Sequence, residues 1–275
     1  MNPPKISIII ANFNNGHFFK ECFESLLGQT EHDWEAVVID DKSTDNSVEV
    51  IQTLIADDDR FRFYLNEENI GYQKTLIKGI ALSASDVFAR LDPDDCLEPT
   101  AIEECLSVHA AHPEAGLVYT NCAVYDRDWN YMYTNTSTSV EPGNRDFYCL
   151  KAEISHFATF KRKYYNLTSG IDPFNKRAED KDIYIKMYEV APTCHIDKGL
   201  YRYRIHGNSL AQFSNKKRAV FWFWVAIIKA AERKDNNVED MFLEYFVSKQ
   251  EFDELNYKLN GSRWIKLGKW LGLMK

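Results

Sequence analysis

The sequence contains no CxxC pair, no glycine-rich GxGxxG pattern and no GxxxxGK[ST] pattern. The last two absences argue against dinucleotide-binding and P-loop proteins, because those proteins use glycine-rich loops to bring the backbone close to phosphates. The six cysteines are scattered along the chain, at no spacing typical of metal ligands. We therefore expect free thiols, as in a reducing compartment.

The chain also lacks an apolar run of transmembrane length. The run at 6–11 is shorter than the core of a signal peptide and follows a single basic residue, Lys5. We therefore expect a cytoplasmic protein. Basic residues are too few for a general nucleic-acid binder, since 33 of them face 41 acidic residues and the net charge is −8. Hydrophobic residues at 45% and charged residues at 27% are ordinary for a soluble globular protein.

Short β-rich runs alternate with segments that have helical periodicity. The alternation predicts an α/β fold, in which helices flank a mostly parallel central sheet. In such sheets, ligands bind beyond the carboxyl ends of the strands, so the polar segments that follow each strand are the candidate sites. The predicted strands cover 6–11, 34–40, 60–65, 86–91 and 116–121, and the predicted helices cover 17–29, 45–56, 72–83 and 99–112.

Three carboxylates follow the apolar segment 86–91 in the motif RLDPDD, which ends in Asp92, Asp94 and Asp95. Carboxylates this close repel one another, and burial is costly for each unless a cation or hydrogen-bond donors compensate. Mg²⁺ or Mn²⁺ meets this need, because one or two carboxylates commonly bind it together with the phosphates of a nucleotide. An acidic turn that caps the next helix is the alternative explanation.

Two other polar segments suit a nucleotide. In IDDKSTDNS, capping of the next helix accounts for Ser43 to Asp45 but not for Asp41, which can accept hydrogen bonds from a nucleobase or a ribose. In NIGYQK, Gly71 permits close approach of the backbone and Lys74 offers a cation. A solvated helix face is the alternative for Lys74.

Five blocks, within about residues 5–190, resemble the inverting enzymes of glycosyltransferase family 2, which have the GT-A fold. They are the segment 6–30, VVIDDKSTDNS, NIGYQKTL, RLDPDD followed by Glu98-Pro99, and AEDKDIYIKM. The resemblance implies that Asp41 contacts the nucleobase, that Asp92 and Asp94 contact the ribose and the metal ion, and that Asp180 is the catalytic base. The remaining donor-binding predictions are Ala11, Asn12, Phe13, Asn14, Gly71 and Lys74.

The acidic block makes chemical sense beside this resemblance. Glu179, Asp180 and Asp182 lie in the first turn of a predicted helix, where the helix dipole favours negative charge, so capping alone could explain them. An inverting sugar transfer needs one carboxylate that removes the proton of the acceptor hydroxyl. We predict that Asp180 is this base and that Glu179 lies at the acceptor site.

Three further residues are candidates. In YRYRIHGNS, His206 could complete the metal site and Arg204 could neutralise the diphosphate, and a surface strand end is the alternative for both. His156, in SHFATFKR, could line the acceptor cleft, and a structural role is its alternative.

The C-terminal part differs in character. We predict a GT-A domain at 1–212 and a helical extension at 213–275. The apolar run 219–228 is too short to span a bilayer and could pack on the catalytic domain or form a homo-oligomer contact. The basic, tryptophan-containing segment 262–275 suits either a peripheral membrane contact near a lipid-linked acceptor or a docked amphipathic helix.

The sequence therefore predicts a metal-dependent, inverting glycosyltransferase. It would transfer a sugar from a nucleoside diphosphate sugar, with UDP as the expected nucleotide, to a hydroxyl of a polysaccharide or glycolipid. A nucleotide-sugar-binding module without turnover is one alternative, although the complete DPDD and Glu179-Asp180 pairs argue against it. A sugar nucleotidyltransferase is another, although its glycine-rich N-terminal loop is missing.

Overall fold

The chain forms two compact units in a computed structural model, residues 1–226 and 227–275. The structure describes residues 3–140, 154–206 and 216–234 and a few single residues beyond them. The domain boundary at 212/213 stays a prediction. The first unit contains all the candidate site residues.

Within the described ranges nine strands make one sheet, and helices connect most of them. The strands are β1 Ile6–Asn12, β2 Trp34–Asp40, β3 Phe61–Leu65, β4 Val87–Arg90, β5 Cys96–Leu97, β6 Leu117–Tyr125, β7 Tyr131–Asn135, β8 Ser155–Lys161 and β9 Thr193–Arg204. The helices are α1 Phe19–Leu27, α2 Ser47–Ile55, α3 Tyr72–Leu82, α4 Ala101–Ala111, α5 Arg162–Tyr165, α6 Glu179–Val190 and α7 Lys216–Arg233, the last of which extends into the second unit.

The strand order in the sheet is β3-β2-β1-β4-β8-β6-β9-β5, and β7 pairs with β6. The first four strands are parallel, as expected for βαβ units. β8 then pairs antiparallel with both β4 and β6, whereas β9 runs parallel to β6. The predicted α/β class is confirmed, and the structure adds a mixed second half that the sequence pattern did not predict.

Burial on both faces of the sheet explains why the sequences of the first strands are uninterrupted apolar runs. Every residue of β1 and β2 is buried, because helices cover both faces of this part of the sheet. Gly16 joins the loop after β1 to α2, because the Gly16 N–H donates to Ser47 Oγ at 2.8 Å. The approach is close enough that a Cβ atom at Gly16 would lie 2.4 Å from Ser47 Cα. This close approach fixes the polar segment that follows β1.

The predictions for the C-terminal part are not tested. No helix among the described residues combines the length and the hydrophobicity needed to cross a bilayer. Segment 262–275, predicted as a membrane or protein contact, lies outside the described residues. The run 219–228 lies in α7, where Val220 and Phe221 are exposed, and its role in a homo-oligomer stays a prediction.

Stability should depend on pH through His109. This α4 side chain is buried, its Nε2 lies 2.9 Å from Thr159 Oγ1, and burial, with a smaller effect of Lys161, lowers its pKa to about 4. The unfolded chain takes up this proton near pH 6.5, so it binds more protons than the folded chain between about pH 6.5 and 4, and stability falls as the pH falls. Between pH 7 and 4.5 the loss from this group is about 2 kcal/mol.

Urea denaturation at pH 7 and pH 4.5 measures this loss, and His109→Gln is the comparison because its amide does not titrate. The variant should lose less free energy of unfolding than the wild type over this interval. An equal loss in both proteins would contradict the assignment to His109.

Candidate active site

The candidate residues gather at one edge of the sheet. Strands β1, β2 and β4 run parallel, so the segments that follow them emerge side by side. β9 reaches the same place from the other half of the sheet, because Arg204 and His206 at its end contact Asp94 after β4. α6 adds Glu179 and Asp180 through contacts with Arg90 and His156.

The loops after β1 and β2 are bonded to each other. Asn12 Nδ2 donates to Asp40 Oδ2 at 2.7 Å, and the N–H of Asn14 donates to Ser43 Oγ at 2.9 Å. Asp40 also accepts from the Ser43 N–H and hydroxyl, at 2.7 Å each. Asp40 therefore shapes the loop after β2. Of the other donor-site predictions here, Ala11 is buried in β1 and Phe13 is 45% exposed.

Asp41 is buried and organises the loop before α3. Its Oδ1 accepts from Asn66 Nδ2 at 2.8 Å and from the Ile70 N–H at 2.9 Å, and its Oδ2 accepts from the Gly71 N–H at 2.9 Å. Asn66 in turn accepts from Lys78 Nζ at 2.7 Å. Asp41 thus holds the loop that faces the site, and its predicted contact with a nucleobase stays a prediction.

Gly71 precedes α3 with φ of 87°, a left-handed conformation that favours glycine. A Cβ atom built on Gly71 would have no neighbour within 4 Å, so this stretch of backbone borders open space. Lys74 on the following turn is exposed and makes no hydrogen bond or ion pair with the described residues. Both residues are accessible, as their predicted roles at the donor require.

The carboxylates of RLDPDD have different partners. Asp92 Oδ1 accepts from the Tyr72 hydroxyl, and Asp92 Oδ2 lies 3.7 Å from Arg90 Nη2. Asp94 Oδ2 lies 2.7 Å from His206 Nε2. The Asp92 and Asp94 side chains are 25% and 17% exposed, so both are open to solvent.

The third carboxylate, Asp95, is structural. It is buried, accepts from the Tyr201 hydroxyl at 2.7 Å and accepts from the Arg204 N–H at 2.8 Å. Burial raises its pKa well above the usual range, and the neighbouring Asp94 and Asp92 charges add to the effect. Asp95 therefore ties β9 to the loop after β4.

Arg204 is also built into the fold. Its Nε donates to the Asp94 carbonyl at 2.9 Å, its Nη1 donates to Glu21 at 3.2 Å, and its guanidinium lies 4.5 and 4.3 Å from the rings of Phe18 and Trp129. Its Nη2 is buried and donates to none of the described residues. These contacts fix the backbone at Asp94, and the predicted diphosphate contact stays a prediction.

The two acids at the start of α6 differ in their surroundings. Glu179 Oε1 accepts from Arg90 Nη1 at 2.7 Å. Asp180 Oδ1 accepts from the Lys181 N–H at 2.8 Å, whereas its Oδ2 lies 3.9 Å from His156 Nε2 and accepts no hydrogen bond from the described residues. Burial raises the pKa of Asp180, but Arg90, Lys181 and, when it is protonated, His156 outweigh burial and leave the pKa below its usual value. For Glu179 burial prevails over Arg90, and the pKa is raised.

The third acid of this turn, Asp182, does not face the site. It is buried and forms an ion pair with Lys186, at 2.6 Å between Oδ2 and Nζ. Lys186 also donates to the Gly170 carbonyl at 2.8 Å. This pair anchors α6 to the preceding loop.

Sequence reasoning missed Arg90 and Tyr72. Arg90 donates to Tyr72, Glu179 and His156, and so joins α3, α6 and β8. A signal was available, because Arg90 is a charged residue at the end of an apolar segment and lies two residues before Asp92. His156, predicted at the acceptor site, has both ring nitrogens in contact, with Arg90 and with Tyr184.

No group of three or more histidine, cysteine or acidic side chains gathers as a metal site within the described part of the chain. Asp94 and His206 nevertheless bring a carboxylate oxygen and an imidazole nitrogen together. Both atom types are ligands of divalent metal ions in proteins.

Comparison with known proteins identifies the family of this chain. A family model described as glycosyl transferase family 2 matches residues 7–174. Chondroitin synthase from Escherichia coli is 32% identical over 206 residues, which cover 75% of this chain and 30% of that protein. Hyaluronan synthase from Pasteurella multocida is 28% identical over 206 residues, which cover 75% of this chain and 21% of that protein. The chain thus spans less than a third of the length of these relatives.

Solved structures share the fold at low sequence identity. S. aureus TarS 1–349 has a TM-score of 0.65 at 18% identity, with 98% of this chain and 78% of that chain covered. The mannosyltransferase PcManGT from Pyrobaculum calidifontis, in complex with GDP-Man and Mn²⁺, has a TM-score of 0.66 at 13% identity, with 100% and 82% covered. The predicted GT-A fold is confirmed. Because the family model matches more than half of its residues, the chain belongs to glycosyltransferase family 2.

Proposed function

We propose that this glycosyltransferase is an inverting, metal-dependent enzyme that transfers a sugar from a UDP-sugar to a hydroxyl of a polysaccharide or glycolipid. One observation carries the proposal: the Asp92 and Asp94 carboxylates and the Asp180 carboxylate open onto the same edge of the sheet, and Arg90 connects the two sides. Transfer from a nucleoside diphosphate needs one group at the leaving diphosphate and another at the attacking hydroxyl.

The donor side consists of the loops after β1, β2 and β3 together with Asp92 and Asp94. The exposed Phe13 offers an aromatic face for the base, and the accessible Gly71 backbone and Lys74 can approach the nucleotide. Complexes of TarS with UDP and with UDP-GlcNAc support a UDP-sugar donor.

The residues present fit a divalent metal ion. Asp94 and His206 would hold Mn²⁺ or Mg²⁺, with Asp92 at the ion or at the ribose, and the donor diphosphate would supply further oxygens. When bound, the ion supplies positive charge for the leaving diphosphate. The Mn²⁺ complex of PcManGT supports this assignment.

Asp180 has the properties of the base. Its lowered pKa keeps it ionised at neutral pH, and its Oδ2 accepts no hydrogen bond from the described residues. As the acceptor oxygen bonds to the anomeric carbon, Asp180 takes the hydroxyl proton and the bond from that carbon to the diphosphate breaks on the opposite face. One displacement of this kind inverts the anomeric configuration.

The names of the relatives support the acceptor class. Chondroitin synthase and hyaluronan synthase are named for polysaccharides, and a Campylobacter jejuni relative, 23% identical over 269 residues, is named as a glucosyltransferase of an undecaprenol-linked glycan. These names favour a growing glycan or a lipid-linked acceptor in cell-envelope polysaccharide synthesis.

A donor screen tests the proposal. The purified chain is incubated with UDP-, GDP- and dTDP-sugars and Mn²⁺, with and without glycan acceptors, and release of nucleoside diphosphate and of pyrophosphate is measured. We expect UDP release that an acceptor stimulates. Pyrophosphate release in a parallel assay with a nucleoside triphosphate and a sugar 1-phosphate would instead indicate a nucleotidyltransferase, and tight UDP-sugar binding without turnover on any acceptor would indicate a binding module.

Asp41→Asn should weaken UDP binding. The variant loses the charge that accepts from Asn66, Ile70 and Gly71, and places an amide donor among these donors. Loss of a buried, charge-assisted hydrogen bond costs roughly 1.5–3 kcal/mol, which corresponds to about 10- to 150-fold in affinity. Calorimetry with UDP, together with a melting curve of the same sample, measures the effect. Unchanged UDP affinity would limit Asp41 to a structural role.

A further inference from the structure

Arg90 is the last residue of β4, and its side chain is only 16% exposed. Its guanidinium lies between the donor side and the acceptor side of the candidate active site. Nη1 donates to the Tyr72 hydroxyl at 3.0 Å and to Glu179 Oε1 at 2.7 Å. Nη2 donates to His156 Nε2 at 2.6 Å and lies 3.7 Å from Asp92 Oδ2. One planar group thus contacts four side chains from four parts of the fold.

These contacts determine the proton on His156. Arg90 can only donate, so His156 Nε2 accepts and the ring proton of neutral His156 lies on Nδ1. Nδ1 then donates to the Tyr184 hydroxyl at 3.0 Å. Burial, with the adjacent Arg90 charge, lowers the pKa of His156 to about 4, so the ring is neutral at pH 7. His156 therefore gives Asp180 a fixed neighbour but no charge at that pH.

The contacts on the donor side are equally specific. Tyr72 accepts from Arg90 and donates to Asp92, so Arg90 orients the Asp92 carboxylate through one hydroxyl. On the acceptor side, Glu179 is bound directly to Arg90 and adjoins Asp180 in the chain. Displacement of Arg90 would release both carboxylates.

We propose that Arg90 is a positioning residue for the transfer reaction. It holds Asp92 on the donor side, and Glu179 and His156 on the acceptor side, in fixed relative positions, and it supplies positive charge beside Asp180. This inference rests on the proposed function, in which Asp180 is the base. Arg90 touches neither the donor nor the acceptor in this scheme and acts through the side chains that it holds.

The charges around Asp180 make the effect of Arg90 measurable. At neutral pH the positive groups that act on Asp180 are Arg90 from β4 and Lys181 from α6, since His156 from β8 is neutral. The remaining titratable neighbours are acids and phenols, namely Asp92, Glu179, Tyr72 and Tyr184. Loss of the Arg90 charge should therefore raise the pKa of Asp180, and the base would be protonated, and inactive, at higher pH.

Two substitutions separate the charge of Arg90 from its geometry. Arg90→Met removes both. It should shift the acid limb of the kcat/KM–pH profile, the fall in activity on the acid side, to higher pH. It should also lower kcat by roughly 10²-fold, the cost typical of a small misplacement of reacting groups. Arg90→Lys keeps the charge but cannot bond to Tyr72, Glu179 and His156 together. In the lysine variant the acid limb should therefore lie at the wild-type pH, while kcat stays well below the wild-type value.

Arg62 provides the matched control. It lies on the edge strand β3, three strands from β4, and is bound to Glu35 at 2.8 Å and to the Tyr64 hydroxyl at 2.6 Å. Arg62→Met should lower the melting temperature without moving the acid limb. If Arg90→Met does not fold, Arg90→Lys and Tyr72→Phe decide, because both should lower kcat at least about tenfold with a wild-type acid limb.

Several outcomes would overturn the proposal. An unchanged acid limb in folded Arg90→Met would refute the electrostatic part, and wild-type kcat in Arg90→Lys or in Tyr72→Phe would refute the geometric part. Failure of the underlying function is distinguishable. Wild-type turnover in Asp180→Asn removes Asp180 as the base, whereas an inactive Asp180→Asn beside a fully active Arg90→Met removes only the role of Arg90.

Discussion

Asp180→Asn is expected to lower turnover by roughly 10²–10⁴-fold, the contribution typical of a positioned general base. Asparagine has nearly the same shape and can accept the Lys181 N–H as aspartate does, but its amide cannot take a proton from the acceptor hydroxyl. The donor affinity should stay close to wild type, because the base acts in the transition state rather than in donor binding. Coupled measurement of UDP release and calorimetry with UDP-sugar tests both parts.

The substitution also separates catalysis from helix capping. Asparagine caps helices as well as aspartate does, so a capping role predicts that Asp180→Asn retains both its melting temperature and its turnover. Wild-type turnover would end the assignment of Asp180 as the base. Glu179 would then be the next candidate, since the structure places Asp182 in a buried pair with Lys186.

Asp94→Asn should reduce turnover by at least about 10²-fold and weaken donor binding. The variant loses the carboxylate charge beside His206, and with it the site proposed for the divalent ion that offsets the charge of the leaving diphosphate. Removal of metal by EDTA should mimic the variant, and added Mn²⁺ should restore the wild type but not Asp94→Asn.

Asp57→Asn is the matched control, because it removes one exposed acid beyond the end of α2. It should match the wild type in turnover and in its response to metal. Full turnover of the wild type in chelator, on protein with no metal by elemental analysis, would refute metal dependence. Equal turnover of Asp94→Asn and Asp57→Asn would remove Asp94 from the site.

Several features were predictable because they depend on local pattern. The runs around β1, β2 and β4 are apolar because helices cover both faces of the sheet there, and each is followed by polar residues at the edge with the candidate site. Periodicity therefore located the helices as well as the segments that contain Asp41, Gly71 and Asp94. The acidic residues from Glu179 were predicted to lie in the first turn of a helix, and the structure begins α6 at Glu179.

The roles of individual residues within these segments could not be predicted from local pattern. Asp40 and Asp41 are adjacent in sequence, yet Asp40 bonds to Ser43 and Asn12 whereas Asp41 bonds to the loop before α3. Likewise Asp95 is buried against Tyr201, while Asp94 faces His206. Each difference depends on a partner that lies far away in the chain.

The sequence by itself determined the α/β class, the edge of the sheet where the candidate site lies and the acidic residues that gather there, because strand and helix periodicity and the carboxyl-end rule act over short stretches of chain. The tertiary structure decided which of those acids are fixed and which remain open, and it introduced Arg90 as the connection between them. The pairing of β4 with β8, and the contact of α6 with both, bring Arg90 to His156 and Glu179, which lie 66 and 89 residues away in sequence. Contacts over such separations arise from the packing of whole elements, which no local pattern encodes.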